Sequence, residues 1–581
     1  MSARLDPWVR NEWLRRADVA LAAWMVRAFP EAAPDVALAA ALAARAVGDG
    51  HSGLELARAR EWLARVGGQG RPPELPDAES WQASLRAATG ACRSNGDAMA
   101  APLTLDPQGR VYLSRYFDAE RRVAAVLAAH ATQSLPPFPE EAASREARTV
   151  AGHGTLDPEQ RRAIEVALTR GFTLITGGPG SGKTFTVAYV LAALAMAAGA
   201  TPPRIALAAP TGKAAARLAE SLRAQLARMA LPAPLTASLP REPATLHRLL
   251  GISPWRAQPR HHAGAPLPFE VVVVDEASMV DLPLMARLAD ALAPGARLIL
   301  LGDPDQLAAV EAGNVLAALV DACRADPFAA CHVALSGSHR FGARSAIGAL
   351  ARAIAADDAD AVLAVPAAAG PEVRWVDRGT QGALVEHACD AFAPLLAARD
   401  PVAALAAARG FRVLTALRHG PWGCLAVNRA IEARLKRTHP LRLDGEWWQG
   451  RLVLVIANRP ELSIFNGDTG VVWPDAGGQP RAWFEGADGA PRAIPPAALP
   501  PHEGAFALTV HKAQGSEFDD IALATGPDSA VLTRELLYTG VTRARSCITL
   551  YGEAETLRAG IARRTLRMTG LADRLREAAG T

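Results

Sequence analysis

The chain has 581 residues, too many for one hydrophobic core, so roughly three or four domains are expected. Half of the residues are hydrophobic and 21% are charged, a globular balance that excludes a largely disordered protein. The net charge is only +3, so any nucleic-acid site must be local. The six cysteines are scattered without a C-x-x-C pair, which favours reduced thiols over a zinc site.

No segment of the sequence points to secretion or to a membrane. The first residues, MSARLDPWVRNEWLRRAD, are charged from the start and lack the apolar core of a signal peptide. The apolar stretches are shorter than the roughly 20 residues that a membrane span needs. We therefore expect a cytoplasmic protein with no membrane partner.

The N-terminal part of the chain has a helical pattern. Residues 1–130 are rich in Ala, Leu and Arg, and their apolar positions recur with a helical period, which predicts a small helical domain. Residues 131–154 are Pro-rich and charged without a period, which is typical of a linker. Because tryptophan is enriched at binding hot spots and is frequent in the helical domain, we expect this domain to hold a partner.

From residue 155 onward, short apolar strands alternate with helices. Runs such as FTLIT, VVVVDEAS and RLILLGD are apolar on both faces, which indicates parallel sheets covered by helices on both sides. The sequence thus predicts two α/β domains, at 155–335 and 336–581. Between about 440 and 505, short strands separated by Gly, Pro and Asp turns favour a small β-barrel inserted in the second domain.

A phosphate-binding loop follows the first of these strands. The stretch GGPGSGKT lies between an apolar strand and a helix, so backbone N–H groups and the helix N-terminus can surround phosphates. We expect Lys183 to reach the β- and γ-phosphates and Thr184 to ligate Mg²⁺. The predicted nucleotide contacts in the loop are Gly177, Gly178, Pro179, Gly180, Ser181, Gly182, Lys183 and Thr184.

Two carboxylates follow the all-valine strand. Because neighbouring residues of a strand point to opposite sides, Asp275 and Glu276 can take different roles. We expect Asp275 to bind Mg²⁺ and Glu276 to orient or deprotonate the attacking water. The loop and the carboxylates together predict an ATPase, which on these motifs alone could be a kinase, a transporter subunit or a chaperone-like ring protein.

Further motifs decide among these classes. The chain contains LDPEQRRAI, APTGKAAARL, TLHRLLG, GDPDQL, SHRF, LTVHKAQGSEFD and YTGVTRAR. They appear in the order found in superfamily 1 helicases and span about 155–551. The set most closely resembles the RecD group of DNA helicases, the alpha subunits of exodeoxyribonuclease V, and the segment VYLSRYFDAERRVA supports this resemblance.

The resemblance implies a fold and roles for the motif residues. It implies two RecA-like motor domains and an SH3-like form for the inserted barrel. It places adenine recognition at Gln160, γ-phosphate sensing at Gln306, and arginines facing the γ-phosphate across the cleft at Arg340 and Arg543. Glu517 belongs to the motif that couples DNA to ATP. The implied DNA contacts are Thr211, Lys213, Thr245, His247, Thr509, His511, Lys512 and Gln514.

The resemblance also implies cofactors, partners and a direction. ATP and Mg²⁺ are the expected cofactors, and single-stranded DNA and double-stranded DNA ends are the expected substrates. The implied activity is 5′ to 3′ translocation within a heterotrimer with RecB-like and RecC-like subunits, which processes double-strand ends for recombinational repair. The alternative is a free-standing RecD-like helicase. No nuclease motif is visible, and residues 252–270 fit either a strand-separating hairpin or a Pro-rich basic loop.

Overall fold

A computed structural model of the chain contains four β-sheets with helices packed around them. Within the part that it describes, no helix is both long enough and apolar enough to cross a membrane. The described residues are 2–95, 99–133, 156–198, 201–229, 231, 239–240, 243–337, 342, 345–368, 370–439, 443, 445–486, 490–527 and 531–580.

The N-terminal region combines helices with a small sheet. Its elements are α1 (Ser2–Arg10), α2 (Arg16–Ala28), α3 (Pro34–Gly48), β1 (Leu54–Glu55), α4 (Ala59–Val66), α5 (Ala78–Ala87), β2 (Cys92–Ser94), β3 (Leu103–Leu105), β4 (Arg110–Leu113) and α6 (Ser114–Thr132). The strands pair in the order β1-β4-β3-β2. The prediction of a small helical domain over 1–130 is therefore corrected, because the region also contains this sheet. Strands of 2 to 4 residues are too short to show the alternation that identifies a strand in sequence.

The first α/β domain is built on a six-stranded parallel sheet. Its elements are α7 (Pro158–Thr169), β5 (Phe172–Gly177), α8 (Lys183–Ala197), β6 (Ile205–Ala209), α9 (Gly212–Arg228), β7 (Ala244–Thr245), α10 (Leu246–Leu250), β8 (Val271–Val274), α11 (Leu282–Ala291), β9 (Arg297–Gly302), α12 (Val315–Ala322) and β10 (His332–Leu335). The strand order is β10-β5-β9-β8-β6-β7. All four valines of β8 are buried, as a sheet covered on both faces requires. The predicted parallel sheet is confirmed.

The second α/β domain contains a five-stranded parallel sheet in the order β11-β20-β19-β12-β18 and an inserted antiparallel sheet. Because this order is parallel throughout, the second predicted α/β domain is also confirmed. Its elements are α13 (Ala346–Ala355), α14 (Ala359–Ala368), β11 (Val373–Val376), α15 (Gln381–Ala391), α16 (Ala393–Leu396), α17 (Pro401–Ala408), β12 (Phe411–Thr415), α18 (Cys424–Thr438), β13 (Leu452–Val455), β14 (Thr469–Pro474), β15 (Pro480–Glu485), β16 (Pro491–Ile494), β17 (His502–Gly504), β18 (Ala507–Thr509), β19 (Phe518–Ala524), α19 (Arg534–Val541), β20 (Ala544–Tyr551) and α20 (Ala554–Ala562).

The inserted sheet lies where the sequence predicts an insertion. Its strands pair antiparallel in the order β16-β15-β14-β13-β17, with a small apolar core of its own. Among the described strand pairs, the edge strands β16 and β17 do not pair with each other, so this sheet is open and not the closed barrel expected. Proline at 495 and 496 lacks the N–H that would continue the ladder beyond β16.

Helix α6 of the N-terminal region and the last helix of the chain both pack against the first α/β domain. The C-terminal helix α21 (Leu571–Ala579) packs against α6 and α12. Leu571 and Leu575 share a buried cluster with Val123 of α6 and Phe172 of β5. The C-terminal helix therefore lies outside the second domain, although the predicted boundary placed residues 336–581 there, because an amphipathic pattern does not reveal which sheet a helix covers.

Candidate functional site

The phosphate-binding loop connects β5 to the first turn of α8. Gly182 has φ +86°, a conformation in which other residues are strained, and it caps the helix. A Cβ atom on Gly177 would lie 2.5 Å from the Ser181 hydroxyl oxygen, so a larger residue at position 177 would clash with the loop. The Lys183 ammonium donates to the carbonyls of Gly177 and Gly178 at 2.6 and 3.0 Å, which holds it within the loop.

The acidic pair lies at the end of β8, beside this loop. The backbone N–H of Glu276 donates to Asp275 Oδ1 at 2.8 Å, and Glu276 has φ +54°, which turns the chain sharply after the strand. Burial, followed by the Glu276 carboxylate, raises the pKa of Asp275 to about 6, whereas the Lys183 ammonium acts in the opposite direction. A cation at this position would relieve that unfavourable burial of charge.

The second domain reaches over the phosphate-binding loop through Tyr538 of α19. Its hydroxyl donates to Asp303 Oδ2 at 3.3 Å, and Gln306 Nε2 donates to the same oxygen at 2.9 Å. The Tyr538 oxygen also lies 3.0 Å from where a Cβ on Gly178 would stand. Burial raises the pKa of Asp303 to about 6, and the Lys183 ammonium opposes this shift. The predicted γ-phosphate sensor thus lies at a contact between the two domains.

Arg543 lies in the same interface and is 3% exposed. Its Nε donates to the Thr539 carbonyl at 3.2 Å and its Nη1 to the Ser516 carbonyl at 3.4 Å. Burial lowers the pKa of Arg543, and the carboxylates of Glu276 and Asp303, both from the first domain, oppose this shift. These two carboxylates of the first domain are therefore near enough to act on the Arg543 charge. The other predicted arginine, Arg340, lies outside the described residues.

Further hydrogen bonds join the two domains just beyond Gln306. The Leu307 N–H donates to the Thr539 hydroxyl at 2.8 Å, and Gln514 Nε2 donates to the Leu307 carbonyl at 2.9 Å. The Gln514 amide, predicted to contact DNA, is therefore engaged at the domain contact. Gln160 is buried, and its Oε1 accepts from the Asp157 N–H at 3.1 Å in a capping box at the start of α7.

The predicted DNA contacts of the first domain meet at one edge of its sheet. Strands β6 and β7 are parallel neighbours, so the residues that follow them lie side by side. Thr211 and Thr245 each cap the next helix, accepting at 3.2 Å from the N–H groups of Ala214 and Arg248. His247 is exposed on α10. Both helix N-termini thus present positive partial charge to the same surface.

Lys213 lies in the first turn of α9, facing the inserted sheet. Burial, followed by Arg412, lowers the pKa of Lys213 to about 8, and Asp468 acts in the opposite direction. The Asp468 carboxylate also accepts from the Phe465 N–H at 2.8 Å. The Phe465 ring is 39% exposed and lies 3.7 Å from where a Cβ on Gly212 would stand. The inserted sheet therefore places an aromatic face beside the predicted phosphate contacts.

The second domain brings its own predicted DNA contacts to the edge strand β18. The Thr509 hydroxyl accepts from the Lys512 N–H at 3.3 Å, and the Lys512 ammonium forms an ion pair with Glu503. Burial lowers the pKa of His511, and the charge of Arg567 adds to this shift. A Cβ on Gly515 would lie 4.0 Å from the Thr211 hydroxyl, so the motifs of the two domains adjoin.

Comparisons with known proteins identify the family of the chain. Three family models match, described as RecBCD enzyme subunit RecD, N-terminal domain at residues 10–112, AAA domain at 155–377, and UvrD-like helicase C-terminal domain at 504–551. The RecBCD enzyme subunit RecD of Mycobacterium tuberculosis is 44% identical over 560 residues, 93% of this chain and 91% of that protein. The chain belongs to the RecD family. The resemblance stated from the motifs is thereby confirmed.

Two other RecD-family relatives differ in how much of their length is matched. The RecBCD enzyme subunit RecD of Mycolicibacterium smegmatis is 40% identical, and the match covers 98% of both chains. The ATP-dependent RecD2 DNA helicase of Deinococcus radiodurans is 31% identical over 82% of this chain but only 60% of that protein.

Two residues of this RecD-family site, Asp303 and Tyr538, were missed in the sequence. Both lie inside recognised motifs, GDPDQL and YTGVTRAR, and Asp303 directly follows the buried strand β9. Their contact joins residues 235 positions apart, which no local pattern reveals. The sequence did contain one signal for Asp303, its position directly after a predicted strand. A carboxylate at the carboxyl end of a parallel strand lies at the edge of the sheet where ligands bind.

Proposed function

We propose that the chain is an ATP-driven DNA helicase motor that moves 5′ to 3′ along single-stranded DNA. The observation that carries this proposal is the cleft, where the first domain supplies the phosphate-binding loop and the second supplies Tyr538 and Arg543. A nucleotide held between two domains links its hydrolysis to their relative motion, and a strand gripped by both domains is then stepped along.

In this proposal each site residue has one task. Lys183 neutralises the β- and γ-phosphates, and Glu276 orients the attacking water and accepts its proton. Gln306 senses the γ-phosphate from the end of β9. Arg543, together with Arg340, stabilises the charge that develops on the transferring phosphoryl group. Gln160 and the loop residues 177–184 bind the nucleotide.

The donor set suits Mg²⁺ that arrives with the nucleotide. Thr184 offers a hydroxyl at the start of α8, and Asp275 offers a carboxylate whose buried charge lacks a full counter-charge. When bound there by Thr184 and Asp275, Mg²⁺ would offset the negative charge of the nucleotide phosphates.

The DNA track runs past the starts of α9 and α10 and the edge strand β18. Thr211, Lys213, Thr245 and His247 contact it from the first domain. The second domain contributes Thr509, His511, Lys512 and Gln514. Phosphate contacts of this kind bind strands of any sequence and weaken as salt rises.

Replacing Lys183 tests the chemistry. We expect Lys183→Ala to abolish DNA-stimulated ATP hydrolysis and unwinding, because no other lysine lies in the loop. Lys436→Ala is the matched control, since Lys436 is exposed on α18, and its described contacts, with the Gly445 carbonyl at 3.0 Å and the Trp448 ring at 5.8 Å, lie outside the nucleotide cleft. Near-normal hydrolysis by Lys183→Ala would refute the assignment. Unwinding of tailed duplexes only from a 3′ overhang would refute the direction.

We further propose that the chain works in the cytoplasm as the alpha subunit of a RecBCD-type helicase and nuclease. In this assembly a RecB-like and a RecC-like subunit accompany it at double-strand DNA ends, and the N-terminal region holds a partner. The match to the RecD N-terminal domain at residues 10–112 supports this proposal. Native co-purification should return both large subunits, identified by mass spectrometry. A chain that purifies alone as a processive helicase would favour the free-standing alternative.

A further inference from the structure

A cross-domain ion pair lies between the proposed DNA track and the nucleotide cleft. Arg217 belongs to α9, one helical turn after Lys213, and its Nη2 contacts Glu517 Oε1 of the second domain. The Glu517 side chain is only 7% exposed and also accepts from Arg545 Nε at 3.1 Å. One buried carboxylate thus has an arginine partner from each domain.

The turn that carries Glu517 touches the first domain at two further places. A Cβ on Gly515 would lie 3.8 Å from the Ala214 Cβ, at the start of α9. Gln514 Nε2 donates to the Leu307 carbonyl at 2.9 Å, one residue after Gln306. This turn therefore contacts both the helix that begins with the proposed phosphate contacts and the segment that carries the γ-phosphate sensor.

The charge of Arg217 also acts on the nucleotide cleft. The Arg217 side chain is 42% exposed, and partial desolvation followed by the Arg543 guanidinium lowers its pKa, whereas the carboxylates of Glu276 and Asp275 oppose this shift. These three neighbours are the proposed catalytic arginine and the two acidic residues of the first domain. Arg217 is thus close enough to the hydrolytic groups for a change in its position to alter their electrostatics.

We propose that Arg217 is a positioning residue that transmits DNA binding on α9 to the ATP cleft through its ion pair with Glu517. A strand bound at Thr211 and Lys213 fixes the start of α9. Arg217 then fixes Glu517, and the turn holds Gln514 against Leu307 so that Gln306 and Arg543 are aligned. This inference rests on the proposed DNA-stimulated ATPase and names the residues that carry its regulation.

The test compares ATP hydrolysis by the full chain with and without oligo-dT. We expect Arg217→Ala to lower kcat in the presence of oligo-dT by about tenfold, the size of a typical coupling between sites, while KM for ATP and oligo-dT affinity stay within about twofold. Arg217→Lys, which keeps the charge, should retain most of the stimulation.

Arg545→Ala is the matched control, because it removes the partner of Glu517 that lies within the second domain. We expect its stimulation to stay within about twofold of the parent, since no contact between domains is lost. Full stimulation of Arg217→Ala, or equal losses in Arg217→Ala and Arg217→Lys, would overturn the inference. A parent chain whose ATPase does not respond to oligo-dT would instead refute the proposed function on which the inference rests.

Discussion

The Arg543 guanidinium of the second domain lies near acidic side chains of the first domain. Arg543 is buried, and its described hydrogen bonds go to carbonyls of its own domain and to the Thr542 hydroxyl. The carboxylates of Glu276 and Asp303 oppose the lowering of its pKa. In the proposed mechanism these bonds would hold the charge of Arg543 in place, so that little reorganisation would be needed during hydrolysis.

We expect Arg543→Ala to lower kcat for DNA-stimulated ATP hydrolysis by about 10³-fold or more, because an arginine at this position acts on transition-state charge. Nucleotide affinity, measured by titration of a fluorescent ATP analogue, should change little. Arg545→Ala, two residues further along, serves as the control, since its side chain is 53% exposed. Comparable turnover in the parent and both variants would mean that Arg543 does not complete the site.

At the scale of elements, the proposed DNA track results from two neighbouring parallel strands that end at the same sheet edge. Thr211, two residues after β6, and Thr245, the last residue of β7, each cap the helix that follows. The inserted sheet then packs Phe465 and Asp468 beside the first of these helices. Strand pairing thus brings together contacts that lie over 30 positions apart in sequence.

Lys213 provides a pH test of this track. Because its pKa is lowered to about 8, the ammonium loses its charge as pH rises through that value, from about 90% protonated at pH 7 to about 10% at pH 9. We expect single-stranded DNA affinity, measured by fluorescence anisotropy at constant salt, to fall over this range. Lys213→Arg keeps its charge throughout and should flatten the profile. Identical pH profiles for both proteins would exclude Lys213 from the contact.

At the scale of the molecule, the C-terminal segment ties three parts of the chain together. Thr565 bonds to Glu535 in the second domain, and Arg567 donates to the Asp49 carbonyl in the N-terminal region at 2.6 Å. Arg567 also donates at 3.3 Å to the carbonyl of Ala309, three residues after Gln306. The C-terminal segment therefore joins the N-terminal region to the motor near Gln306, the proposed γ-phosphate sensor.

Glu120 lies at the contact between the N-terminal region and the C-terminal segment, and its replacement should destabilise the whole protein. Its buried carboxylate accepts from Ser52, Thr569, the Gly570 N–H and Arg574 at 2.6 to 3.1 Å. We expect Glu120→Ala to lower the free energy of unfolding in urea by about 3 kcal/mol or more, because the buried Arg574 guanidinium loses the carboxylate that it pairs with.

Arg122→Ala is the control on the same helix. Its side chain is 47% exposed and pairs with Asp290 at 3.3 Å, so its loss should cost about 1 kcal/mol or less. Equal shifts in the two urea midpoints would show that the Glu120 network does not hold the domains together.

The sequence by itself determined the phosphate-binding loop, the acidic pair, the two parallel sheets and the RecD-family resemblance. Each of these features is read from short contiguous segments. The phosphate-binding loop is one example, because a buried strand, a glycine-rich turn and the next helix form one local unit. The N-terminal sheet escaped detection because its strands are too short to show a period.

Only the tertiary structure decided how distant segments meet. Tyr538 reaches Asp303 across 235 positions, Arg217 meets Glu517 across 300, and Arg574 meets Glu120 across 454. The same folding places α21 on the first domain and leaves the inserted sheet open among the described strands. Such contacts depend on which faces of the helices and sheets pack together. That packing is decided by how the whole chain buries its apolar surface, which no local pattern reveals.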